Sequence, residues 1–156
     1  MTTIIYLEDN GERQVLKQIA DIARLGISGD QDAKELAKYI RQGLQLLGKF
    51  GVPSDKRLMM VSEEVDGDKR TFHLLKELKH IPYPLFEFRI NRTTPGAFRA
   101  IFFEYKYEEE QLLIFAKSVL KQGDPNPPEL QQAIKESLAL YERFHENPEL
   151  YLGEDD

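Results

Sequence analysis

Two strand-like runs within residues 86–105, FEFRIN and GAFRAIFFEY, each carry one arginine among aromatic and aliphatic residues. Side chains alternate between the two faces of a strand, so Arg89 lies opposite the apolar residues of the first run and shares its face with Glu87. Cations flanked by aromatic side chains suit a phosphodiester, because the charge is neutralised while bases stack on the rings. Arg89 and Arg99 are therefore the first candidates for a chemical role.

The second run is apolar on both faces except for Arg99, as expected for a central strand covered on both sides. A third run, QLLIFAKSV, contains Lys117, which regular alternation places on the same face as Phe115. In a regular meander, Arg89, Arg99 and Lys117 would converge on one end of a sheet surface. The alternative is that each cation reaches solvent from the sheet edge or pairs with a neighbour such as Glu87. Composition does not choose between the two.

The elements that would position these residues begin with a strand at TTIIYLE, followed by two amphipathic helices. The stripe of the first helix consists of Val15, Leu16, Ile19, Ile22 and Ala23. The second helix begins near Asp30 and stops at Gly48 or Gly51. A terminal helix starts at NPPE, with Asn126 as its N-cap and Pro127 at the first helical position.

Between the helices, residues 52–83 mix a strand-like LMMVSEEV, an Asp-Gly turn and a run that is either helical or extended. From Pro84, three strands joined by RTTPG and by an acidic turn at residues 108–110 predict an antiparallel meander. The predicted fold is α+β, with an N-terminal strand and a helical hairpin packed on a mainly antiparallel sheet of three to five strands, and a C-terminal helix. With 156 residues, one domain is expected at 1–145, followed by an acidic tail at 146–156.

Composition excludes several classes of protein. The chain is 41% hydrophobic and 31% charged, as ordinary soluble proteins are, and it has neither an apolar run of membrane-spanning length nor the basic start of a secretion signal. A cytoplasmic protein without membrane contact is therefore expected. The absence of cysteine excludes disulfides, thiol catalysis and thiolate zinc sites. Because His73, His80 and His145 lack ligand spacing, no metal and no cofactor is predicted.

The net charge of -6 is concentrated at the C-terminus, where residues 124–156 hold nine acidic and two basic residues. The segment 71–123 holds eight basic and six acidic residues, so the region of the arginines is positive. An acidic terminus is most often a solvated one that aids solubility or partner contacts. The overall acidity therefore does not exclude an anionic ligand at the centre of the chain.

The order strand, two helices, three-stranded meander and terminal helix, with the motifs LLKELKH, PLFEFRI, GAFRAIFFEY, LLIFAKS and PPELQQAIK, resembles the RelE/ParE toxin superfamily. The motifs are most similar to its HigB-like, phage-derived branch, over roughly residues 3–145. The resemblance implies a RelE-like domain and a toxin of a type II toxin–antitoxin system. Such toxins are mostly ribonucleases that cut messenger RNA, often in the ribosomal A site, and a neighbouring gene encodes their antitoxin. The implied partners are a cognate antitoxin and messenger RNA, with participation of the ribosome left open.

The resemblance also implies roles for individual residues. Arg89 and Arg99 fall on positions that contact the scissile phosphate and stabilise its charge, and Lys117 falls on a phosphate ligand or proton donor. The implied reaction is metal-independent attack by a 2′-hydroxyl on the adjacent phosphate, and loss of one charge-stabilising donor typically costs about 100- to 1000-fold in rate. The further substrate-binding candidates are Lys76, Lys79, His80 and Tyr105.

Two positions depart from the family pattern. Glu87 is an anion where some ribosome-dependent members carry a lysine, and the start of the terminal helix has no active-site tyrosine, for which Tyr105 and Tyr107 are the candidate substitutes. Two alternatives therefore stay open. One is a ParE-like toxin that binds DNA gyrase, and the other is a catalytically inactive RelE-fold interaction protein.

Overall fold

The computed structural model describes residues 1–152. In chain order the elements are β1 (Thr2–Tyr6), α1 (Gln14–Ile27), α2 (Gln31–Phe50), β2 (Met59–Glu63), β3 (Lys69–His73), β4 (Leu75–Glu77), β5 (Phe86–Ile90), β6 (Ala97–Tyr107), β7 (Glu110–Lys121), α3 (Pro128–Glu146) and α4 (Pro148–Leu152). Five strands form one sheet in the order β1-β7-β6-β5-β4, in which only β1 and β7 pair in parallel. The predicted α+β class and the mainly antiparallel sheet are confirmed.

Different helices cover the two faces of the sheet. The first core joins the apolar stripes of α1 and α2 to the face formed by Phe86, Phe88 and Ile90, and the second joins α3 to the opposite face. Because both cores cover the centre of β6, its residues 98–103 are all buried. The prediction of a central strand with two dry faces is confirmed, and the strand is held rigidly from both sides.

A β-bulge interrupts the pairing of β6 with β7. Phe102 pairs with Phe115, but Ile101 pairs with Lys117, so β7 contains one extra residue at Ala116. The side chains of β7 exchange faces at this point, because alternation restarts after the extra residue. Phe115 belongs to the first core, whereas Lys117 lies opposite Ile101 of the second. The predicted common face for Phe115 and Lys117 is therefore wrong.

The start of α2 has the predicted cap, whereas the start of α3 lies one residue later than predicted. The Asp30 carboxylate accepts a hydrogen bond from the Ala33 N–H at 3.0 Å and caps α2, as predicted. The N-cap of α3 is Pro127 rather than Asn126, and Pro128 takes the first helical position. In α1, Leu16 is half exposed, so it does not belong to the buried stripe that the spacing predicted.

The segment 52–83, whose pattern was either helical or extended, contains three strands, β2, β3 and β4, and no helix. Strands β2 and β3 form a separate antiparallel hairpin, and β4 joins the edge of the main sheet. Polar contacts help to hold the hairpin to α2: the Ser62 hydroxyl donates to the Gln42 side chain at 2.8 Å, and the Lys38 ammonium donates to the Glu63 carbonyl at 3.0 Å. These contacts link residues more than 19 apart in sequence, so local pattern did not reveal them.

The last described element continues the second core. In α4, Tyr151 packs on Phe144 of α3 with ring centroids 5.8 Å apart. The end of the expected acidic tail, residues 153–156, lies outside the described residues. Among the helices of residues 1–152, none has the length and apolar character needed to cross a membrane.

The contact between α2 and β5 supplies a test of the packing. A Cβ atom at Gly43 would lie 2.9 Å from the Phe88 ring, whereas one at Gly48 of the same helix would meet nothing within 4 Å. Both substitutions by alanine gain about 1 kcal/mol of helix propensity, but overpacking at Gly43 costs about 1–3 kcal/mol. Urea unfolding should therefore show Gly43→Ala to be less stable than Gly48→Ala by about 1–3 kcal/mol. Equal stabilities would contradict this packing.

Candidate functional site

Arg89 and Arg99 face each other across neighbouring strands. The β5–β6 register pairs them directly, and directly opposed side chains lie on the same face of the sheet. This is the face on which α3 packs, mainly over β7 and β6. The structure therefore brings together the two arginines that the sequence singled out.

One buried carboxylate lies between the two guanidinium groups. Glu87 Oε1 is 3.6 Å from Nε of Arg99 and 4.0 Å from Nε of Arg89, and the Glu87 side chain is only 6% exposed. Like charges directly opposite each other are destabilising, so the carboxylate offsets part of their repulsion. Lys76 of β4 pairs in register with Glu87 and adds a third cation on the same face.

Arg99 is held in one orientation. Its Nη1 donates to the Phe98 carbonyl at 3.0 Å, its Nη2 donates to Asn91 Oδ1 at 2.6 Å, and its side chain is 5% exposed. Burial, followed by the nearby Arg89 charge, lowers the pKa of Arg99 to about 10, against an opposing contribution from Glu87. The guanidinium still carries its charge at neutral pH, so the site keeps a fixed positive group.

Arg89 is the more available of the two arginines. Its side chain is 26% exposed, and its contact with Glu87 is at the 4.0 Å limit of an ion pair. Its Nε is buried and has no hydrogen-bond partner within residues 1–152. A buried donor without an acceptor is costly. Because this Nε is buried, Arg89 offers a ligand only the donors on the exposed part of its side chain.

The sequence interpretation missed a fourth cation, Lys121. It pairs with Ala97, two residues beyond the Val119–Arg99 pair, and therefore shares the arginine face. Burial, then the charges of Arg99, Arg89 and Lys76, lower the pKa of Lys121, while Glu87 opposes the shift. Lys76, Arg89, Arg99 and Lys121 together are called the cation cluster below. The signal for Lys121 was its four-residue spacing from Lys117, which keeps both on one face of a strand.

Lys117 lies on the arginine face but is neutralised there. The bulge at Ala116 moves it to this face, where its ammonium binds Asp9 at 3.1 Å and Glu136 at 3.8 Å. Asp9 also binds Arg143 of α3 at 3.3 Å. Lys117 thus connects β7 to the turn after β1 and to α3, and its charge is compensated by two carboxylates.

The other sequence candidates lie away from the cluster. Lys79 and His80 occupy the exposed loop where β5 begins, because the Leu78 N–H donates to the Leu85 carbonyl, whereas Arg89 lies near the end of β5. Tyr105 is six residues beyond Arg99 on β6, about 20 Å at the usual rise per residue, and packs against Phe144 and His145. Of the proposed substrate-binding residues, only Lys76 lies beside the arginines.

No family model matches this chain, and no curated protein or solved structure matches it either. The resemblance to the RelE/ParE superfamily thus depends on the sequence motifs alone. The protein has an α+β fold, and its sheet carries a cluster of four cations, two of which lie within 4.0 Å of one buried carboxylate. Such a site is suited to an anionic ligand.

Removing the central carboxylate should destabilise the fold. In Glu87→Gln, two opposed arginines lose their shared counter-charge, and breaking a buried pair costs about 3–5 kcal/mol. Urea unfolding at pH 7 measures the loss. Glu109→Gln, at an exposed carboxylate in the β6–β7 turn, is the matched control and should stay within about 0.5 kcal/mol of the wild type. If the two variants were equally stable, Glu87 would not hold the arginines together.

A double-mutant cycle measures how much the ion pair between Lys117 and Asp9 contributes to stability. Lys117→Met and Asp9→Asn should each destabilise by an amount between the ~1 kcal/mol of an exposed pair and the roughly 3–5 kcal/mol of a buried one. The double variant should lose less than the sum, because both changes remove the same ion pair. Strictly additive losses in urea unfolding would show that the two residues are not coupled.

Proposed function

We propose that this chain is a toxin of a type II toxin–antitoxin system, a metal-independent endoribonuclease that cleaves messenger RNA. The observation that carries the proposal is the cation cluster, in which two opposed arginines lie within 4.0 Å of one buried carboxylate and two lysines lie on the same face of the sheet. A phosphodiester would supply the negative charge that the cluster lacks. The motif resemblance to HigB-like toxins and the α+β arrangement of the elements support the same conclusion.

In the proposed reaction, the 2′-hydroxyl of one nucleotide attacks the adjacent phosphorus. The hydroxyl loses its proton, the P–O bond to the next 5′-oxygen breaks, and that oxygen gains a proton. The products are a 2′,3′-cyclic phosphate and a 5′-hydroxyl. Arg89 and Arg99 would stabilise the charge that develops on the phosphorane, because preorganised donors are strongest where water is partly excluded.

The motif resemblance also places Lys117 in this chemistry. Its ammonium is bound by Asp9 and Glu136, so the proposal assigns the phosphate to the arginines and gives Lys117 a structural role. Glu87 would orient both guanidinium groups toward the phosphate. The arginine that would contact the phosphate most directly is Arg89, because its side chain is 26% exposed and that of Arg99 only 5%.

The proposed activity implies its partners and location. A cytoplasmic antitoxin would inhibit the enzyme by covering the cluster with an acidic or amphipathic segment. Messenger RNA would be the substrate, either free or on the ribosome. Binding should weaken with rising salt, because phosphate contacts release counterions.

A second candidate, a catalytically inactive interaction protein of RelE-like fold, is favoured by one observation. Arg99 already donates to Phe98 and Asn91 and lies beside Glu87, so much of its hydrogen-bonding capacity is used within the protein. Such a protein, or one that binds DNA gyrase, would inhibit growth through protein contacts and would not depend on phosphate chemistry.

Two measurements on the same variants separate these functions. Purified wild type should cleave a labelled transcript in the presence of EDTA and leave 2′,3′-cyclic phosphate ends. Arg89→Ala should cleave about 100- to 1000-fold more slowly. Arg41→Ala removes an exposed arginine of α2, the helix on the other face of the sheet, and should cleave like the wild type.

Growth after induction provides the second measurement, with protein levels matched by immunoblot. The wild type and Arg41→Ala should arrest growth, and Arg89→Ala should not. Equal arrest by all three without cleavage would favour a gyrase- or partner-binding toxin. Normal growth with the wild type and no cleavage in vitro would contradict the proposed function.

A further inference from the structure

A pocket of about 400 Å³ lies beside the cation cluster. It is formed by the start of β3, the link between β5 and β6, and the end of β7 with the loop that follows. The side chains that matter for its charge are Arg70, Arg92, Lys121 and Asp124. The pocket therefore shares Lys121 with the cluster.

Asn91 connects the pocket to the arginine pair. Its Oδ1 accepts a hydrogen bond from Nη2 of Arg99 at 2.6 Å, and its backbone carbonyl accepts one from Nη2 of Arg70 at 2.6 Å. One residue thus fixes the positions of a cluster arginine and a pocket arginine. A ligand that spans both would meet a continuous and preorganised surface.

The charges of the pocket are unequally available. Arg92 uses all three of its nitrogens within the protein: Nη1 binds Glu64, Nη2 binds Asp32, and Nε donates to the Thr94 carbonyl. Because Arg92 is also nearly buried, it forms one side of the pocket and its donors are not free for a ligand. Asp124 accepts a hydrogen bond from the Asn126 N–H within its own loop and is the one acidic residue lining the pocket in the described part of the chain.

Two cations of the pocket keep free donors. Arg70 contacts Glu64 only at 3.4 Å, stacks on the Phe72 ring at 5.2 Å and is 39% exposed. Lys121 has no ion-pair partner within residues 1–152. Its pKa is lowered by burial and by other cations, as expected for an ammonium that lacks a dedicated counter-charge.

We propose that Lys121 and Arg70 bind a second phosphate group of the same RNA strand, next to the phosphate held by Arg89 and Arg99. That the ligand is RNA rests on the proposed function, whereas the phosphate subsite is inferred from the pocket and its charged residues. Lys121 of β7 lies diagonally opposite Arg99 of β6, because Lys121 pairs with Ala97. The Cα atoms of such diagonal neighbours are about 7–8 Å apart. An extended single strand can place successive phosphates at such a spacing.

The second subsite would give the substrate a direction across the protein. The strand would run from the arginine pair, over Lys121, into the pocket at the start of β3. Contacts of this kind position a nucleic acid without reading its sequence. The pocket is therefore expected to add affinity equally for different base sequences.

The test measures the salt dependence of binding to an uncleavable probe. A fluorescein-labelled octamer of 2′-O-methyl RNA lacks the attacking hydroxyl, and its binding can be followed by anisotropy from low to moderate salt. Each phosphate contact on a single strand contributes about 0.7 to the slope of log K against log salt. Lys121→Ala should reduce the slope by about 0.7, whereas Lys121→Arg should preserve it.

Lys106→Ala is the matched control, since it removes an exposed lysine near the opposite end of β6 and should leave the slope unchanged. Circular dichroism melting confirms that each variant is folded. A slope for Lys121→Ala equal to that of the wild type would overturn the second subsite, and so would a wild type that does not bind the octamer at low salt.

Cleavage is measured separately with unmodified RNA, so the two proposals fail independently. A reduced slope in Lys121→Ala together with no cleavage by the wild type would support the subsite and contradict the nuclease. Cleavage by the wild type with an unchanged slope would support the nuclease and contradict the subsite.

Discussion

Two guanidinium groups opposed across neighbouring strands repel each other, and Glu87 offsets this repulsion by lying beside both. The compensation is incomplete, since burial and the Arg89 charge still lower the pKa of Arg99 to about 10, well below its ordinary value. Between about pH 10 and that ordinary value, Arg99 keeps its proton more firmly in the unfolded chain, so the contribution of Arg99 to stability rises with pH there. Below about pH 10 both states are protonated, and the full cost of burying the charge is present. An anion bound beside Arg99 would reduce this cost.

The arrangement that keeps the arginines in place extends beyond the sheet. Asn91 holds Arg99, and the next residue, Arg92, is anchored by Glu64 of the β2–β3 hairpin and Asp32 of α2. Arg92 also lies over the ring of the buried Tyr39, 5.6 Å from its centroid. The ion pairs of Arg92 and the hydrogen bond of Asn91 therefore link the hairpin, the second helix and the cation cluster. Asn91, whose Oδ1 accepts a hydrogen bond from Arg99, is thus adjacent in sequence to a residue that both elements anchor.

The sequence predicts most of this arrangement, and its failures have physical causes. Strict alternation in FEFRI placed Arg89 and Glu87 on one face, and the apolar second run identified β6 as central. In β7, residues 112–116 are all buried, so their pattern contains no sign of the bulge at Ala116. That bulge decides which face Lys117 and Lys121 occupy. Segment 52–83 was ambiguous because contacts distant in sequence hold its hairpin, among them Ser62 with Gln42.

Lys117 can be compared with the other cations on this face by the number of carboxylates that lie close to it. Its ammonium lies within 4.0 Å of two carboxylates, from Asp9 and Glu136, so its charge is compensated within the protein. The cation cluster has the opposite ratio, with four cations and one carboxylate in the part of the chain that the structure describes. Structural ion pairing alone would be most stable with balanced charges. An excess of positive charge that is anchored at the buried, hydrogen-bonded Arg99 and continued into an adjacent pocket is instead what binding of a polyanion requires.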